Sequence, residues 1–170
     1  GGLVRCVGEP GRRFEEDALR MFRALRFSAR LGFSLDAGTR AAIYEKSSLA
    51  ASLASERVRT EIVKMLPSPC SLELGIMLDS GLLDRFCSSG TPVDFAPLDT
   101  LPAQPALRLT GLCALLERAG RIRTPEFLRA MKCSGEEQRL CSAGVKSALS
   151  GPPASPSGWK KLLSEIGEPA

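Results

Sequence analysis

The stretch that most constrains the fold of this chain lies close to its start. Residues 12–27 read RRFEEDALRMFRALRF, in which acidic residues come first and arginines recur along the remainder. Counted at about 100° per residue, the arginines share roughly one third of a helix circumference. They are Arg20, Arg23, Arg26 and Arg30, and the opposite arc holds Phe14, Ala18, Met21, Phe22, Leu25 and Ala29. The pattern predicts one amphipathic helix over residues 14–31, with its apolar face on the protein and its basic face toward something anionic or acidic.

The acidic residues of this helix have a purely structural explanation. Glu15, Glu16 and Asp17 would lie in its first turn, where the helix dipole favours negative charge by about 0.3–1 kcal/mol each. Glu16 and Asp17 also precede Arg20 at spacings that suit intrahelical ion pairs. Neither effect accounts for a row of arginines without a lysine. The planar guanidinium of arginine suits nucleobases and phosphates, which points to a functional face.

Composition and charge exclude several classes of function. The 170 residues carry a net charge of +4, no histidine and 44% hydrophobic residues, which is enough to bury a core. Without histidine the sequence supplies neither Ser-His-Asp nor Cys-His catalysis, nor the His-Asp metal cluster of phosphohydrolases. Six cysteines without a C-x-x-C pair predict buried, reduced thiols. No membrane-length apolar run and no signal-peptide pattern is present, so we expect a cytoplasmic protein without a membrane partner.

One β-strand is predicted at the start of an otherwise helical sequence. Residues 3–7 read LVRCV and are followed by the turn sequence GEPG. Because a single strand leaves its backbone donors and acceptors unpaired, we expect its partner strands to lie outside this sequence.

Helical patterns cover most of the remaining residues. Asp36 is a good N-cap for a helix over residues 37–45. Residues 91–105 contain four prolines and predict a connection over the surface. Further helices are predicted over residues 55–66, 71–79, 81–87, 105–119, 124–131 and 134–149, followed by a flexible break at 151–158 and a last amphipathic segment with Trp159, Leu162, Leu163 and Ile166. The fold class predicted is therefore all-α.

The acid-and-arginine stretch carries a family resemblance. Residues 7–33 read VGEPGRRFEEDALRMFRALRFSARLGF. They resemble the nucleotide-recognition region of class II tRNA nucleotidyltransferases, the bacterial CCA-adding enzymes, of which bacterial poly(A) polymerases are close relatives. The family pattern is V-G-D-P-x-x-R-F-x-E-D-x-L-R-x-x-R-x-x-R-F. This sequence departs from it only before Pro10, where Glu9 replaces the aspartate.

A second stretch extends the resemblance. Residues 53–66 read LASERVRTEIVKML and are similar to the family motif I-S-x-E-R-I-x-x-E-L-x-K-L-L, with Ala54 in place of the serine. We expect the cap of that helix to come from Ser55, Ser52 or water, at a small cost in stability. Its polar face is expected to be mostly solvated and consists of Glu56, Arg57, Arg59, Glu61 and Lys64.

The resemblance implies a role for each polar residue of the first helix. In the family, the Asp and the Arg of the E-D-x-x-R motif act as an amino-acid template that hydrogen-bonds the Watson-Crick edge of CTP or ATP. By that match Asp17 and Arg20 are the template here. Arg23 and Arg26 are expected on the side of the nucleotide phosphates or as supports of the template. Glu16 is expected to orient an arginine.

The resemblance also implies a catalytic part that this sequence does not contain. The family's head domain carries a glycine-serine signature and an Asp-x-Asp pair that bind two Mg²⁺ ions, and neither motif occurs in these 170 residues. The expected organisation is the last strand and turn of the head at residues 1–12, a neck with the nucleotide-recognition helices at 13–67 and a truncated helical body at 68–170. The N-terminal strand would be left over from the missing α/β head, and we expect no catalytic or metal-binding residue in this chain, which alone would be inactive.

The function implied by the resemblance is part of a template-independent tRNA nucleotidyltransferase that adds CCA to tRNA 3′ ends. Its partners would be CTP, ATP and the tRNA acceptor arm. Two alternatives remain open: a poly(A) polymerase fragment, and a helical RNA-binding or interaction module without nucleotide selection.

Overall fold

The structure, a computed structural model, describes residues 2–150 as nine α-helices, one 3-10 helix and a two-stranded sheet. In chain order the elements are β1 (Leu3–Val4), α1 (Pro10–Glu16), α2 (Leu19–Leu31), β2 (Ser34–Leu35), α3 (Ala37–Lys46), the 3-10 helix (Ser47–Ser52), α4 (Ser55–Met65), α5 (Ser71–Asp79), α6 (Ala96–Thr100), α7 (Pro105–Arg118), α8 (Thr124–Ala130) and α9 (Gly135–Ser150). The predicted helical class is confirmed. No helix in this part of the chain is long and apolar enough to cross a membrane. The break and the amphipathic segment with Trp159 lie outside the described residues.

The core holds α2 in place by its apolar face. Met21, Phe22 and Leu25 are fully buried where α2 packs against α4 and α5. The facing side of α4 contributes Val58, Ile62 and Met65. Full burial of one such side chain stabilises the fold by about 1.5–3 kcal/mol. The arginines lie on the opposite face of α2, as its periodicity predicts; Arg23 and Arg30 are exposed, whereas Arg20 and Arg26 are partly buried.

The helix predicted over residues 14–31 is in fact two helices, separated at Asp17 and Ala18. Asp17 has an extended backbone (φ −154°, ψ 102°), and its Oδ1 accepts a hydrogen bond from the Leu19 N–H at 3.1 Å. A short carboxylate competes in this way with the helical hydrogen bonds, because it reaches backbone donors two residues further on. The prediction of one continuous helix is therefore wrong. The predicted end is right, with Gly32 in the left-handed conformation (φ 62°).

The N-terminal strand has a partner inside the chain. β1 pairs in parallel with β2, directly after α2. The Ser34 N–H donates to the Gly2 carbonyl at 3.1 Å, and the Asp36 N–H donates to the Val4 carbonyl at 2.9 Å. Our expectation of a strand over residues 3–7 without a partner in this sequence is therefore wrong. Two residues of β2 are too few to produce a recognisable strand pattern.

Two predictions in the second half of the chain are also wrong. Residues 81–87 contain turns in place of the predicted helix, and Gly81 at their start has a left-handed backbone (φ 85°) that ends the preceding helix. The proline-rich residues 91–105 were predicted to form a surface connection, but they contain the short helix α6. Phe95 and Leu98 are buried there, so this connection belongs to the core.

A buried arginine of α7 organises the same region. Arg108 is 4% exposed. Its guanidinium donates at 2.6–3.4 Å to the backbone carbonyls of Leu66, Ser68, Asp99, Leu101 and Pro102. The Asp99 carboxylate in turn accepts from the N–H groups of Cys70 and Ser71 at the start of α5. Arg108 thus ties the ends of α4 and α6 to α7.

The cysteines are reduced and mostly buried, as the sequence predicts. All six cysteines are free in the described residues, and all except the half-buried Cys6 are buried. Burial raises the pKa of Cys70 to about 12 and that of Cys87 to about 11. Both thiols are therefore protonated at neutral pH.

Asp36 caps α3 as the sequence predicts. Its Oδ2 accepts from the Thr39 N–H at 3.0 Å, and its Oδ1 accepts from the Arg5 Nε–H at 3.0 Å. These hydrogen bonds, chiefly that from Thr39, hold the pKa of Asp36 below its usual value. A carboxyl with a lowered folded-state pKa stabilises the fold above its unfolded pKa and loses that contribution as the pH falls through its folded pKa.

We expect Asp36→Asn to remove this pH-dependent stabilisation while keeping the cap, since asparagine also caps helices. At pH 7 the variant should unfold at lower urea concentration than the wild type. The difference should shrink as the pH falls below about 4, where the unfolded carboxyl of the wild type becomes protonated. Urea midpoints from pH 2.5 to 7, followed by circular dichroism, measure the effect. The exposed Asp79→Asn is the control, and an Asp36→Asn difference that did not shrink between pH 7 and pH 2.5 would contradict the prediction.

Candidate nucleotide-binding site

The candidate site lies at the junction of α1 and α2. The first of these helices, α1, is capped at its N-terminus by Glu9. The Glu9 carboxylate accepts from the Gly11 N–H at 3.0 Å and from the Arg12 N–H at 2.7 Å, and these bonds lower the pKa of Glu9. The single departure from the family pattern in this stretch therefore keeps a carboxylate at the start of α1, where it satisfies two backbone donors.

Glu16 holds two arginines at the end of α1. Its Oε2 accepts from Nη1 of Arg13 and from Nη1 of Arg20, each at 2.6 Å. The same Nη1 of Arg20 donates to the Arg13 carbonyl at 2.9 Å. The hydrogen bond from Arg20 is the main reason that the pKa of Glu16 is lowered. Arg20 is therefore held through one nitrogen, and its Nε and Nη2 make no hydrogen bond to the residues described.

Asp17 is held separately from Arg20. Its Oδ1 accepts from the Leu19 N–H, and its Oδ2 lies 3.4 Å from Nη2 of Arg57 in α4. The Glu16–Arg20 ion pair expected from the spacing is present, but the Asp17–Arg20 pair is absent from the described ion pairs. The extended backbone of Asp17 places its carboxylate off the helix, which breaks the three-residue spacing on which that pair depended.

Arg23 and Arg26 meet a carboxylate of α4. Glu61 accepts from the Arg26 Nε–H at 2.7 Å and from the Arg23 Nε–H at 3.5 Å. The guanidinium of Arg26 also lies over the ring of Phe27, 4.3 Å from its centroid. The side chains of Glu61 and Arg26 are 7% and 12% exposed, whereas that of Arg23 is 48% exposed. Arg26 is therefore part of a helix contact, and Arg23 is accessible.

Most of the polar face of α4 is exposed as predicted, with Glu56, Arg57 and Lys64 in solvent, but two of its residues are not. Glu61 is buried and not solvated, and Arg59 binds Glu137 of α9 with Nη1–Oε distances of 3.0 and 3.1 Å. Ala54 makes no cap, and the Oγ of Ser55 accepts from Arg85. Sequence reasoning missed Arg57 and Glu61 as neighbours of the candidate site. Their four-residue spacing and opposite charges, facing a helix with acids and arginines, were the available signal.

The sequence of the chain is similar to CCA-adding enzymes. Residues 32–89 match a family described as "Probable RNA and SrmB- binding site of polymerase A". The chain is 36% identical over 146 residues to the CCA-adding enzyme of Lactobacillus gasseri, which covers 81% of this chain and 35% of that protein. It is 46% identical over 81 residues to the CCA-adding enzyme of Geobacillus sp. (strain WCH70), covering 47% of this chain and 20% of that protein.

The fold is similar as well. The crystal structure of the Bacillus stearothermophilus CCA-adding enzyme in complex with CTP matches with a TM-score of 0.60 and 26% identity, over 96% of this chain and 50% of that chain. The chain belongs to the family of CCA-adding enzymes and poly(A) polymerases. It spans only 20% and 35% of the two curated CCA-adding enzymes named above. The activity of a whole CCA-adding enzyme is therefore a proposal for this chain.

Proposed function

We propose that this chain supplies the nucleotide-selecting part of a template-independent tRNA nucleotidyltransferase that adds CCA to tRNA 3′ ends. The observation that carries the proposal is the α1–α2 junction, where Arg20 keeps Nε and Nη2 for a base and Asp17 presents Oδ2, which has only a 3.4 Å contact from Arg57. Asp17 is fixed through Oδ1, and Arg20 is fixed through Nη1. The similarity to CCA-adding enzymes supports the same function.

An aspartate and an arginine can read the edge that cytosine and adenine share. Both bases present an exocyclic amine beside a ring acceptor, whereas guanine and uracil present a carbonyl at the position of that amine. A carboxylate accepts from the amine, and a guanidinium donates to the ring nitrogen. In this proposal Oδ2 of Asp17 accepts from CTP or ATP, and Nε and Nη2 of Arg20 donate. GTP and UTP would leave the Asp17 carboxylate facing an acceptor.

In this proposal the neighbouring residues either position the base-reading side chains or contact the nucleotide phosphates. The 2.6 Å contact between Glu16 and Arg20 supports an orienting role for Glu16. The burial of Arg26 against Glu61 supports a positioning role for that arginine. Arg23 is half-exposed on the same face of α2, which suits a contact with the nucleotide phosphates.

The proposal places phosphoryl-transfer chemistry outside this chain. The described residues contain no group of three or more His, Cys, Asp or Glu side chains that could hold a metal ion, and in this proposal Mg²⁺ binds in the family's head domain with its Asp-x-Asp pair. The tRNA acceptor arm is the proposed RNA partner, supported by the RNA-binding description of the family that residues 32–89 match. The division into head end (1–12), neck (13–67) and body (68–170) is part of the same proposal.

A poly(A) polymerase is the second candidate, because the family description of residues 32–89 names polymerase A. An assay of the complete protein that offers both CTP and ATP distinguishes the two. Addition of C followed by a single A supports a CCA-adding enzyme, and repeated addition of A supports a poly(A) polymerase.

The template role is tested by binding of four nucleotides to the 170-residue chain. The wild type should prefer CTP and ATP over GTP and UTP in NMR titrations, and Arg20→Ala should reduce that preference by about fivefold or more, because a matched base contact contributes about 1–3 kcal/mol. Arg30→Ala, an exposed arginine further along α2, is the control and should keep the preference. If Arg20→Ala weakens all four nucleotides equally, Arg20 is a phosphate contact, and the alternative of an RNA-binding module without base selection gains support.

A further inference from the structure

The carboxylate proposed to read the base already has a cationic neighbour. Nη2 of Arg57 lies 3.4 Å from Oδ2 of Asp17, while Oδ1 of Asp17 accepts from the Leu19 N–H. The contact joins residues 40 positions apart, and it exists because α4 packs along α2. The oxygen of Asp17 that is available to an exocyclic amine is therefore the oxygen that Arg57 contacts.

We infer that Arg57 competes with the incoming base for Asp17. The guanidinium of Arg57 presents an N–H donor to Oδ2 as the amine of cytosine or adenine would, and in this inference both donors use the same lone pair of Oδ2, so that one must leave before the other binds. This inference rests on the proposed function, because it takes Asp17 as the base-reading carboxylate. Arg57 then occupies the position of the nucleobase amine when no nucleotide is bound, and nucleotide binding displaces Arg57 from Asp17.

The geometry of this contact suits displacement. The side chains of Arg57 and Asp17 are 50% and 27% exposed, so water screens their attraction. The distance of 3.4 Å is long for a charged hydrogen bond. In contrast, Arg26 and Glu61 on the same two helices are nearly buried and 2.7 Å apart. Glu61 of α4 thus forms a short, buried ion pair with Arg26, whereas Arg57 of α4 forms a longer, exposed contact with Asp17.

Competition predicts the sign of a substitution. When a ligand can bind only to molecules in which a contact is open, its apparent affinity equals its intrinsic affinity multiplied by the fraction of open molecules. Arg57→Ala should therefore raise the affinity of the 170-residue chain for CTP and ATP by about two- to fivefold, the range set by an exposed ion pair. Lys64→Ala is the matched control, because it removes the same charge from an exposed position about two turns further along the same face of α4.

A double-mutant cycle completes the test with the same NMR titrations. In an Asp17→Asn background the amide no longer forms the ion pair, so adding Arg57→Ala should leave CTP affinity unchanged. If Asp17→Asn binds CTP as the wild type does, the proposed function itself fails. If Asp17→Asn weakens binding but Arg57→Ala leaves affinity unchanged or lowers it relative to Lys64→Ala, the template role stands and the competition by Arg57 is overturned.

Discussion

Replacing Arg108 by methionine is expected to lower the free energy of unfolding by about 3–5 kcal/mol. Arg108 is almost fully buried, and its guanidinium satisfies five backbone carbonyls at the ends of α4 and α6. Methionine fills a similar volume but removes every donor. Each carbonyl left buried without a partner costs about 1–3 kcal/mol, and local movement or water recovers part of the total.

Urea unfolding of the wild type and the Arg108→Met variant, followed by circular dichroism, measures this loss. Arg118→Met is the matched control, because it makes the same replacement at an exposed position of α7 and should change stability by less than about 1 kcal/mol. Arg108→Lys should be intermediate, since an ammonium offers fewer donors in a different geometry. An Arg108→Met variant as stable as Arg118→Met would show that the carbonyl network does not hold these segments together.

Glu61→Leu is expected to destabilise the chain by about 2–4 kcal/mol, the second-largest effect. Glu61 is the buried carboxylate that binds Arg26 and Arg23 between α4 and α2. Its removal leaves the guanidinium of Arg26 buried without its partner, which costs more than the lost attraction itself. Arg23 is half-exposed and can return to water, which keeps the loss below that of Arg108→Met.

A compensating substitution identifies the cause. In Glu61→Leu combined with Arg26→Leu, no unpaired charge is buried, so the double variant should recover much of the stability lost by Glu61→Leu alone. Glu126→Leu is the control for an exposed pair, since Glu126 and Arg123 are 59% and 81% exposed, and should change stability by less than about 1 kcal/mol. Urea midpoints of the four proteins decide the matter. No recovery in the double variant would mean that Glu61 acts by some contact other than its pairing with Arg26.

The helices themselves followed from local sequence. The apolar period of α2, the cap at Asp36 and the left-handed Gly32 each depend on residues within one or two turns, and each is present as predicted. The predictions of helices failed where a side chain bonded its own backbone or a glycine took a left-handed conformation. The carboxylate of Asp17 binds its own backbone and divides the first helix. Residues 81–87 form turns after Gly81.

The sequence predicted some neighbours in the candidate site and missed others, and nucleotide binding by these residues stays a prediction. The sequence and its family resemblance single out Glu16, Asp17 and Arg20, and the structure brings all three to one junction. The Glu16–Arg20 pair was predicted from its four-residue spacing, but it could not be read from spacing that Asp17 faces Arg57. That contact depends on the backbone turn at Asp17 and on how α4 lies against α2.

The sequence by itself determined the helical class, the two faces of α2 and the family, because periodicity, caps and motifs are written in residues close together along the chain. Only the tertiary structure decided which charges are buried and what they bind. Arg108 stands in a nearly continuous apolar run, and Glu61 on a helix face predicted to be solvated, yet both are among the most buried polar residues described. Their partners lie up to 42 and 38 positions away in the chain, and contacts of that separation exist only once the helices have packed.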